Sequence, residues 1–162
     1  MEDNLRHMDR SPPRFHTAEA AAAYLPTTPY SQMADLLDAD IANEADIVRL
    51  TETGVGARAY KRAAKVLGFP HSLIAPETTV RRRLKENARF SEAESERLIR
   101  LARVYAEAVA LFGDEAAALQ WLNTPQAFIP GDAPVSPLRL SAKDSGARLV
   151  ESLMRRTAHG MF

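Results

Sequence analysis

The 162-residue sequence contains no cysteine. This absence excludes disulfide bonds, thiolate metal ligands and a cysteine nucleophile, and it is typical of proteins from a reducing cytoplasm. The sequence also has no run of about 18 apolar residues, so we expect no membrane span. Residues 1–15 lack the apolar core and the small-residue cleavage site of a secretory signal. Together these absences indicate a cytoplasmic protein.

The sequence motifs of common enzyme classes are missing too. There is no phosphate-binding loop, because Gly54-Val55-Gly56 is too short to count as one. None of the four histidines has a second His, Asp or Glu at a metal-ligand spacing on a shared helix face. Glu94 and Glu96 fit a helix cap and a surface position better than an acid–base pair. We therefore expect no metal, no cofactor and no enzymatic activity.

The net charge is zero, but the charges are distributed unevenly along the chain. Residues 53–90 contain nine basic and two acidic side chains, whereas residues 1–52 contain four basic and ten acidic ones. The remaining residues are nearly balanced. A basic segment between an acidic and a balanced one favours binding of a polyanion by that segment.

Apolar residues recur at helical spacing along most of the sequence, and no clear alternation predicts a strand, with residues 128–135 (FIPGDAPV) the uncertain segment. The pattern predicts an all-α fold of six or seven helices. The proline-containing first part predicts a flexible N-terminal arm over residues 1–40. We expect two helical domains after it, at 41–90 and 91–162.

Residues 56–86 show the order helix, glycine turn, short helix, tight turn, helix. This order is typical of a helix-turn-helix unit, whose last helix lies in the major groove of DNA. Since Val80 and Leu84 are four residues apart and face inward, Thr78, Thr79, Arg81, Arg82 and Lys85 are left largely outside. The predicted DNA contacts on the last helix are Thr78, Thr79, Arg81, Arg82 and Lys85. Arg58, Lys61 and Arg62 are predicted to contact the flanking DNA backbone. The alternative is a basic face that only contacts solvent.

A long helix is predicted to begin after Ser91. Ser91 and Glu94 form the pattern S-x-x-E, a capping box that satisfies exposed backbone donors at a helix start. Because this helix is long enough to serve a two-fold contact, we assign Leu101, Tyr105 and Val109 to a homodimer interface. A single helix-turn-helix unit buries little surface on DNA, which also favours a dimer.

The stretch SLMRRTAHGMF, residues 152–162, follows a predicted helix with two arginines, a histidine and two large apolar residues. One interpretation is a frayed terminus. The other is that apolar side chains beside cations fill the pocket of a partner protein, above all a pocket that binds anions. The residue pattern leaves both open.

Several stretches together resemble the Xre/MbcA/ParS group of antitoxins. The family pattern S-x-x-E-S-x-R-L-x-R-L-A-R is matched by Ser91, Glu94, Ser95, Arg97, Leu98, Arg100, Leu101, Ala102 and Arg103. The pattern F-G-x-x-x-x-A-x-x-W-L-x-x-P is matched by Phe112, Gly113, Ala118, Trp121, Leu122 and Pro125. The closing pattern is matched by Pro137, Leu138, Gly146, Val150, Leu153, His159 and Gly160. The stretch TTVRRRLKEN also looks like the family's recognition helix, so the resemblance covers roughly residues 46–162.

The resemblance implies an antitoxin of a type II toxin–antitoxin pair, with an Xre-like helix-turn-helix domain followed by a small helical toxin-binding domain. The implied partner is a RES-domain toxin that degrades NAD or transfers ADP-ribose. In such pairs the C-terminal part of the antitoxin occludes the NAD pocket, and the helix-turn-helix domain represses the operon promoter. Carried onto this sequence, the toxin-binding residues are Arg148, Glu151, Arg155, Arg156, His159, Met161 and Phe162.

The sequence departs from the family at three places. Ala158 stands where an acidic residue often precedes the terminal His-Gly, and Ala75-Pro76 replaces a glycine-containing turn. Residues 1–40 have no counterpart. Two other functions remain open: a free-standing transcriptional regulator without a toxin, and an adaptor whose helix-turn-helix no longer binds DNA.

Overall fold

The part of the chain that the computed structural model describes, residues 28–160, consists of helices and connecting loops. Its α-helices are α1 (Pro29–Leu37), α2 (Glu44–Thr53), α3 (Ala57–Leu67), α4 (Glu77–Lys85), α5 (Glu92–Phe112), α6 (Glu115–Asn123), α7 (Pro137–Leu140) and α8 (Asp144–Ala158), and a 3₁₀ helix at His71–Leu73 lies between α3 and α4. This range contains no strand, and the only pairing near the uncertain segment is a bridge between Gln126 and Val135. The all-α prediction is confirmed. None of the helices in this range is both long and apolar enough to cross a membrane.

Side-chain caps begin helices α2 and α5, and the cap of α5 lies at the residue that the sequence predicts. At α2 the Asn43 side chain accepts a hydrogen bond from the Asp46 backbone N–H at 3.1 Å. At α5 both halves of the capping box are present: Ser91 Oγ accepts from the Glu94 N–H, and Glu94 Oε2 accepts from the Ser91 N–H at 2.8 Å. These bonds satisfy backbone donors that have no partner within the helix.

Helix α5 lies at the centre of the fold, and α1, α2, α6 and α8 all pack against it. Eleven of its 21 residues are buried, more than the single apolar stripe of a surface helix provides. The buried side chains form one continuous core that runs from Met33 in α1 to Met154 in α8. The boundary that we expect at residue 90 therefore does not separate two cores.

The expectation of a flexible arm over residues 1–40 is wrong for its last part. Thr28 caps helix α1 and Pro29 occupies its first turn, an arrangement that favours a helix start. Met33, Leu36 and Leu37 are buried against α3 and α5, because their spacing of three and four residues places them on one helix face. Residues 1–27 lie outside the described residues.

The assignment of Leu101, Tyr105 and Val109 to a homodimer interface also needs correction. Their side chains are 0%, 4% and 8% exposed within the single chain. Because α1 and α6 cover this side of α5, the three residues are part of the core and offer almost no surface to a second copy. A two-fold contact must use other residues.

The buried face of α1 provides the first prediction. Met33→Ala should lower the free energy of unfolding by about 2–5 kcal/mol, because it truncates a buried side chain in a packed core. Chemical denaturation of the full chain measures this change. Asp35→Ala, on the exposed side of the same helix, should change it by less than about 0.5 kcal/mol. Equal stability of the two variants would show that α1 is not docked.

Candidate nucleic-acid interface and adjoining C-terminal helix

Tyr60 holds together the elements on either side of the predicted DNA-binding helix α4. Its ring stacks on Phe90, with centroids 4.4 Å apart, and meets Phe69 edge to face at 5.8 Å. Its hydroxyl lies 2.7 Å from Nδ1 of His71 in the 3₁₀ helix. Burial raises the pKa of Tyr60 to about 12, so the hydroxyl stays protonated and can donate this hydrogen bond at neutral pH.

Helix α4 presents most of the predicted DNA contacts to solvent. Val80 is buried and Leu84 is half-buried, which fixes the inner face of the helix. Of the five predicted contacts on α4, only Thr79 is half-buried; the exposed ones are Thr78, Arg81, Arg82 and Lys85. Four of the five side chains that the spacing predicts to face outward are therefore exposed, and Thr79 is the exception.

The exposed cations of α4 are only weakly engaged within the chain. Arg81 Nη2 lies 2.6 Å from Glu77 Oε1, but the two side chains are 72% and 58% exposed. An exposed pair of this kind contributes little stability and can be exchanged for another anion. Among the described residues, neither Arg82 nor Lys85 has a carboxylate oxygen within 4.0 Å. Their charge is available to a polyanion.

The cations of α3 divide into two groups. Arg58 Nε lies 3.5 Å from Asp38, and Arg62 donates to the Asp35 backbone oxygen at 2.7 Å. Both arginines thus reach toward the end of α1, which the sequence pattern had assigned to an arm. Lys61 is exposed, and no carboxylate in the described range lies within salt-bridge distance of it. Of the three residues predicted to contact the DNA backbone, Lys61 is the one that has no carboxylate partner in the described range.

Arg83, the third arginine of the run, is not among the predicted DNA contacts; it points inward, and its role was not predicted. It follows Val80 by three residues and therefore lies on the same side of α4. Its guanidinium contacts Glu94 in the first turn of α5. Its spacing from Val80 sets it apart from Arg81 and Arg82, but no signal in the sequence identifies Glu94 as its partner.

Helix α8 carries the residues that the resemblance assigns to toxin binding. Its inner face buries Gly146, Ala147, Val150 and Met154. The described residues of the assigned set that are exposed are Arg148, Arg155, Arg156 and His159, while Glu151 is half-buried. Arg148 pairs with Asp144 at 2.9 Å. In the part of the chain that the structure covers, Arg155 and Arg156 have no carboxylate within salt-bridge distance. Met161 and Phe162 lie outside the described residues.

A groove of about 520 Å³ runs between α2, α5 and α8. Arg148, Glu151 and Glu107 line it, and Arg103 holds Glu44 in α2 by two hydrogen bonds of 2.8 and 2.9 Å. Burial raises the pKa of Glu107, the charge of Glu151 adds to this effect, and the guanidinium groups of Arg103 and Arg155 oppose it. Ionised Glu107 is therefore held in an unfavourable position beside α8.

Two protein families match this chain, one after the other along it. The Antitoxin Xre-like helix-turn-helix domain matches residues 46–103. The Antitoxin Xre/MbcA/ParS C-terminal toxin-binding domain matches residues 107–160. Together the two matches span more than half of the chain, and they meet within helix α5.

Proteins named Antitoxin Xre from three organisms are similar to this chain. The one from Yersinia enterocolitica is 40% identical over 88 residues, which cover 54% of this chain and 57% of that protein. The one from Pseudomonas putida is 28% identical over 114 residues, 70% of this chain and 64% of that protein. The one from Photorhabdus laumondii is 38% identical over 81 residues, 49% and 53% of the two chains. The chain thus spans between about half and two thirds of the length of these relatives.

The groove generates a prediction about pH. The folded chain holds the pKa of Glu107 above its ordinary value of 4.5. The free energy of unfolding therefore falls as the pH rises from the ordinary to the raised pKa, because the carboxyl ionises more readily in the unfolded chain. Above both pKa values this loss of stability is complete. Glu107→Gln should therefore raise the thermal unfolding midpoint at neutral pH. The gain should shrink at about pH 3.5, where the carboxyl is protonated in both states.

The control for this prediction is Glu92→Gln, an exposed carboxylate of the same groove. It should give no gain at neutral pH, because Glu92 lies in the first turn of α5, where a negative charge is favourable. A Glu107→Gln midpoint that is lower than that of the unchanged chain at neutral pH contradicts the assignment.

Proposed function

This chain belongs to the Xre-type antitoxins, and from that premise we propose that it is the antitoxin of a type II toxin–antitoxin pair. It neutralises an NAD-consuming RES-domain toxin by occluding the toxin's active site with helix α8 and the residues that follow. It also binds the promoter of its own operon through α4 and represses it. Both activities are binding alone, without a reaction catalysed by this chain.

One observation carries this proposal: among the described residues, α4 and α8 each present exposed cations that have no carboxylate oxygen within 4.0 Å, and these cations lie near opposite ends of α5. Arg82 and Lys85 lie on α4, whose Arg83 contacts Glu94 in the first turn of α5. Arg155 lies on α8 and lines an apolar groove together with Leu111 in the last turn of α5. The 17 residues from Glu94 to Leu111 correspond to about 25 Å along a helix, so two partners can be bound at the same time.

The toxin-binding part of the proposal is supported by the chemistry of α8. Its outer face offers the guanidinium groups of Arg155 and Arg156, which have no carboxylate within 4.0 Å among the described residues, and guanidinium pairs well with phosphates or acidic side chains. Both occur in an active site that accepts NAD. The inner face of α8 is anchored in the core through Val150 and Met154, which holds the outer face in a fixed orientation for a rigid partner.

The DNA-binding part is supported by the exposed face of α4 and by Lys61 on α3. A helix in the major groove can use arginine for guanine edges, while lysine contacts phosphates without reading sequence. Because one such unit covers little DNA, we propose a homodimer on a two-fold operator. Its contact lies outside Leu101, Tyr105 and Val109, which are buried in the core.

Promoter binding should respond to the removal of cations from α4. For the double variant Arg82→Ala/Lys85→Ala, the slope of log K against log salt should become shallower by about 0.9 for each phosphate that a protomer no longer neutralises. Titration of promoter DNA at several salt concentrations measures the slope. Arg155→Ala/Arg156→Ala is the matched control and should leave it unchanged. An unaltered slope in the α4 variant would show that Arg82 and Lys85 do not contact phosphates, and absence of promoter binding by the unchanged chain would favour an adaptor that does not bind DNA.

Toxin neutralisation should respond to the removal of cations from α8. Arg155→Ala/Arg156→Ala should raise the concentration of this chain needed to inhibit the RES-domain partner by roughly tenfold for each charge-assisted hydrogen bond removed. Consumption of NAD by the partner, with increasing amounts of each variant, gives this concentration. Arg82→Ala/Lys85→Ala now serves as the control and should inhibit like the unchanged chain. Equal inhibition by both double variants would remove α8 from the proposal.

A further inference from the structure

The three consecutive arginines Arg81, Arg82 and Arg83 do not share one role. The first two side chains are exposed, whereas the Arg83 side chain is 23% exposed and contacts a Glu94 side chain that is 11% exposed. Arg83 is thus turned away from the surface that would meet DNA. Its contacts determine what it does there.

Glu94 holds Arg83 while it also caps helix α5. Nη2 of Arg83 donates to Glu94 Oε1 at 3.2 Å, and Nε lies 2.7 Å from Oε2 in an ion-pair contact without hydrogen-bond geometry. The Ser91 N–H donates to the same carboxylate. Burial acts to raise the pKa of Glu94, but the Ser91 N–H and the guanidinium of Arg83 outweigh it and keep the pKa below its ordinary value. The carboxylate is therefore charged at neutral pH, and the ion pair persists.

Arg83 also anchors the connection between α4 and α5. Its Nη1 donates to the backbone oxygen of Arg89 at 3.2 Å, and its own backbone oxygen accepts from the Ala88 N–H at 2.8 Å. Its guanidinium carbon lies 5.9 Å from the centroid of the Phe90 ring, within reach of a cation–π interaction. The short connection after α4 is thus folded around this one side chain.

That connection is itself fixed to the turn between α2 and α3. The Phe90 N–H donates to the Val55 backbone oxygen at 2.8 Å, and the Val55 N–H donates to Ser95 Oγ at 2.9 Å. Arg89 donates to the Gly54 oxygen at 2.8 Å. Gly54 has φ +88°, and a Cβ there would collide with the Phe90 carbonyl oxygen, so the approach requires glycine. Arg83 therefore joins α4 to a rigid frame.

Helix α4 needs such a second anchor. Among its nine residues only Val80 is buried, and Leu84 is half-buried, so the apolar contact that fixes the inner face of this short helix is small and restrains its rotation only in part. Arg83 lies one turn further along the same face, about 4.5 Å along the axis. Two anchors on one face fix the rotation, and the rotation decides where the exposed side chains point, since neighbouring residues differ by about 100°.

We propose that Arg83 is a positioning residue of the DNA-binding surface: held by Glu94, it sets the rotation of α4 so that Arg81, Arg82 and Lys85 face the base edges and phosphates of the operator. This inference rests on the proposed promoter binding. It assigns to Glu94 a second task besides the cap of α5, and to the third arginine of the run a task other than DNA contact.

Glu94→Gln gives the sharpest test, because glutamine at this position retains the capping box but removes the charge that holds Arg83. Removal of a negative charge near a DNA-binding face strengthens electrostatic attraction to DNA. A positioning role predicts the opposite for the operator. Affinity for promoter DNA should fall about tenfold, the equivalent of one base contact, while affinity for a scrambled duplex of equal length should not fall.

Arg83→Met keeps much of the side-chain length and removes the charge. It should also lower operator affinity about tenfold, with an unchanged salt slope, since every phosphate contact is retained. The double variant Glu94→Gln/Arg83→Met should bind the operator no more weakly than the weaker-binding single variant, because the two substitutions disrupt the same ion pair. All measurements use the full chain at a temperature where thermal unfolding shows each variant to be folded.

The outcomes separate the two proposals. Absence of promoter binding by the unchanged chain overturns the proposed DNA-binding function and this inference with it. If the unchanged chain binds, then a Glu94→Gln variant with equal or tighter operator affinity overturns the positioning role alone. A salt slope that falls by about 0.9 in Arg83→Met would make Arg83 a direct phosphate contact and would also overturn it. An unchanged ratio of operator to scrambled affinity in both variants would reduce the pair to a structural role.

Discussion

Burial of helix α5 is the constraint on which the rest of the structure depends. Eleven of its residues are enclosed by helices from both ends of the described chain, and no other helix in that range packs against as many elements of the fold. The first family match ends within α5 and the second begins within it. The surfaces of α4 and α8 are therefore connected by one rigid helix. This connection would let a single small chain bind one partner at α4 and another at α8.

Ion pairs divide the arginines into structural and available groups. Arg83 and Arg103 each bind a glutamate across helices, to Glu94 and Glu44, and neither guanidinium is free to meet a partner. Arg82 and Arg155 are exposed and, among the described residues, unpaired. A chain with zero net charge can therefore still present cations to a partner, because in the described range some carboxylates pair with partly buried arginines while Arg82 and Arg155 keep no carboxylate within 4.0 Å.

Local signals in the sequence predicted much of the fold. The capping box at Ser91 and Glu94 marked the start of α5, and the spacing of Val80 and Leu84 oriented α4. Long-range packing was not predictable in the same way. The core positions of Leu101, Tyr105 and Val109 depend on the helices packed around α5, among them α1, which follows a proline-containing stretch that pointed to an arm. The inward turn of Arg83 depends on a glutamate eleven residues away. Residues that look alike in a run, such as Arg81 to Arg83, acquire different roles only through such contacts.

We propose that this chain silences a toxin by covering the toxin's active site. This proposal is tested most directly by co-purifying the chain with the proposed RES-domain partner and measuring NAD consumption by the partner alone and in the complex. The claim predicts a stable complex in which NAD consumption is suppressed and returns when the chain is removed. A complex that consumes NAD as fast as the free partner, or a failure of the two proteins to associate, would contradict it.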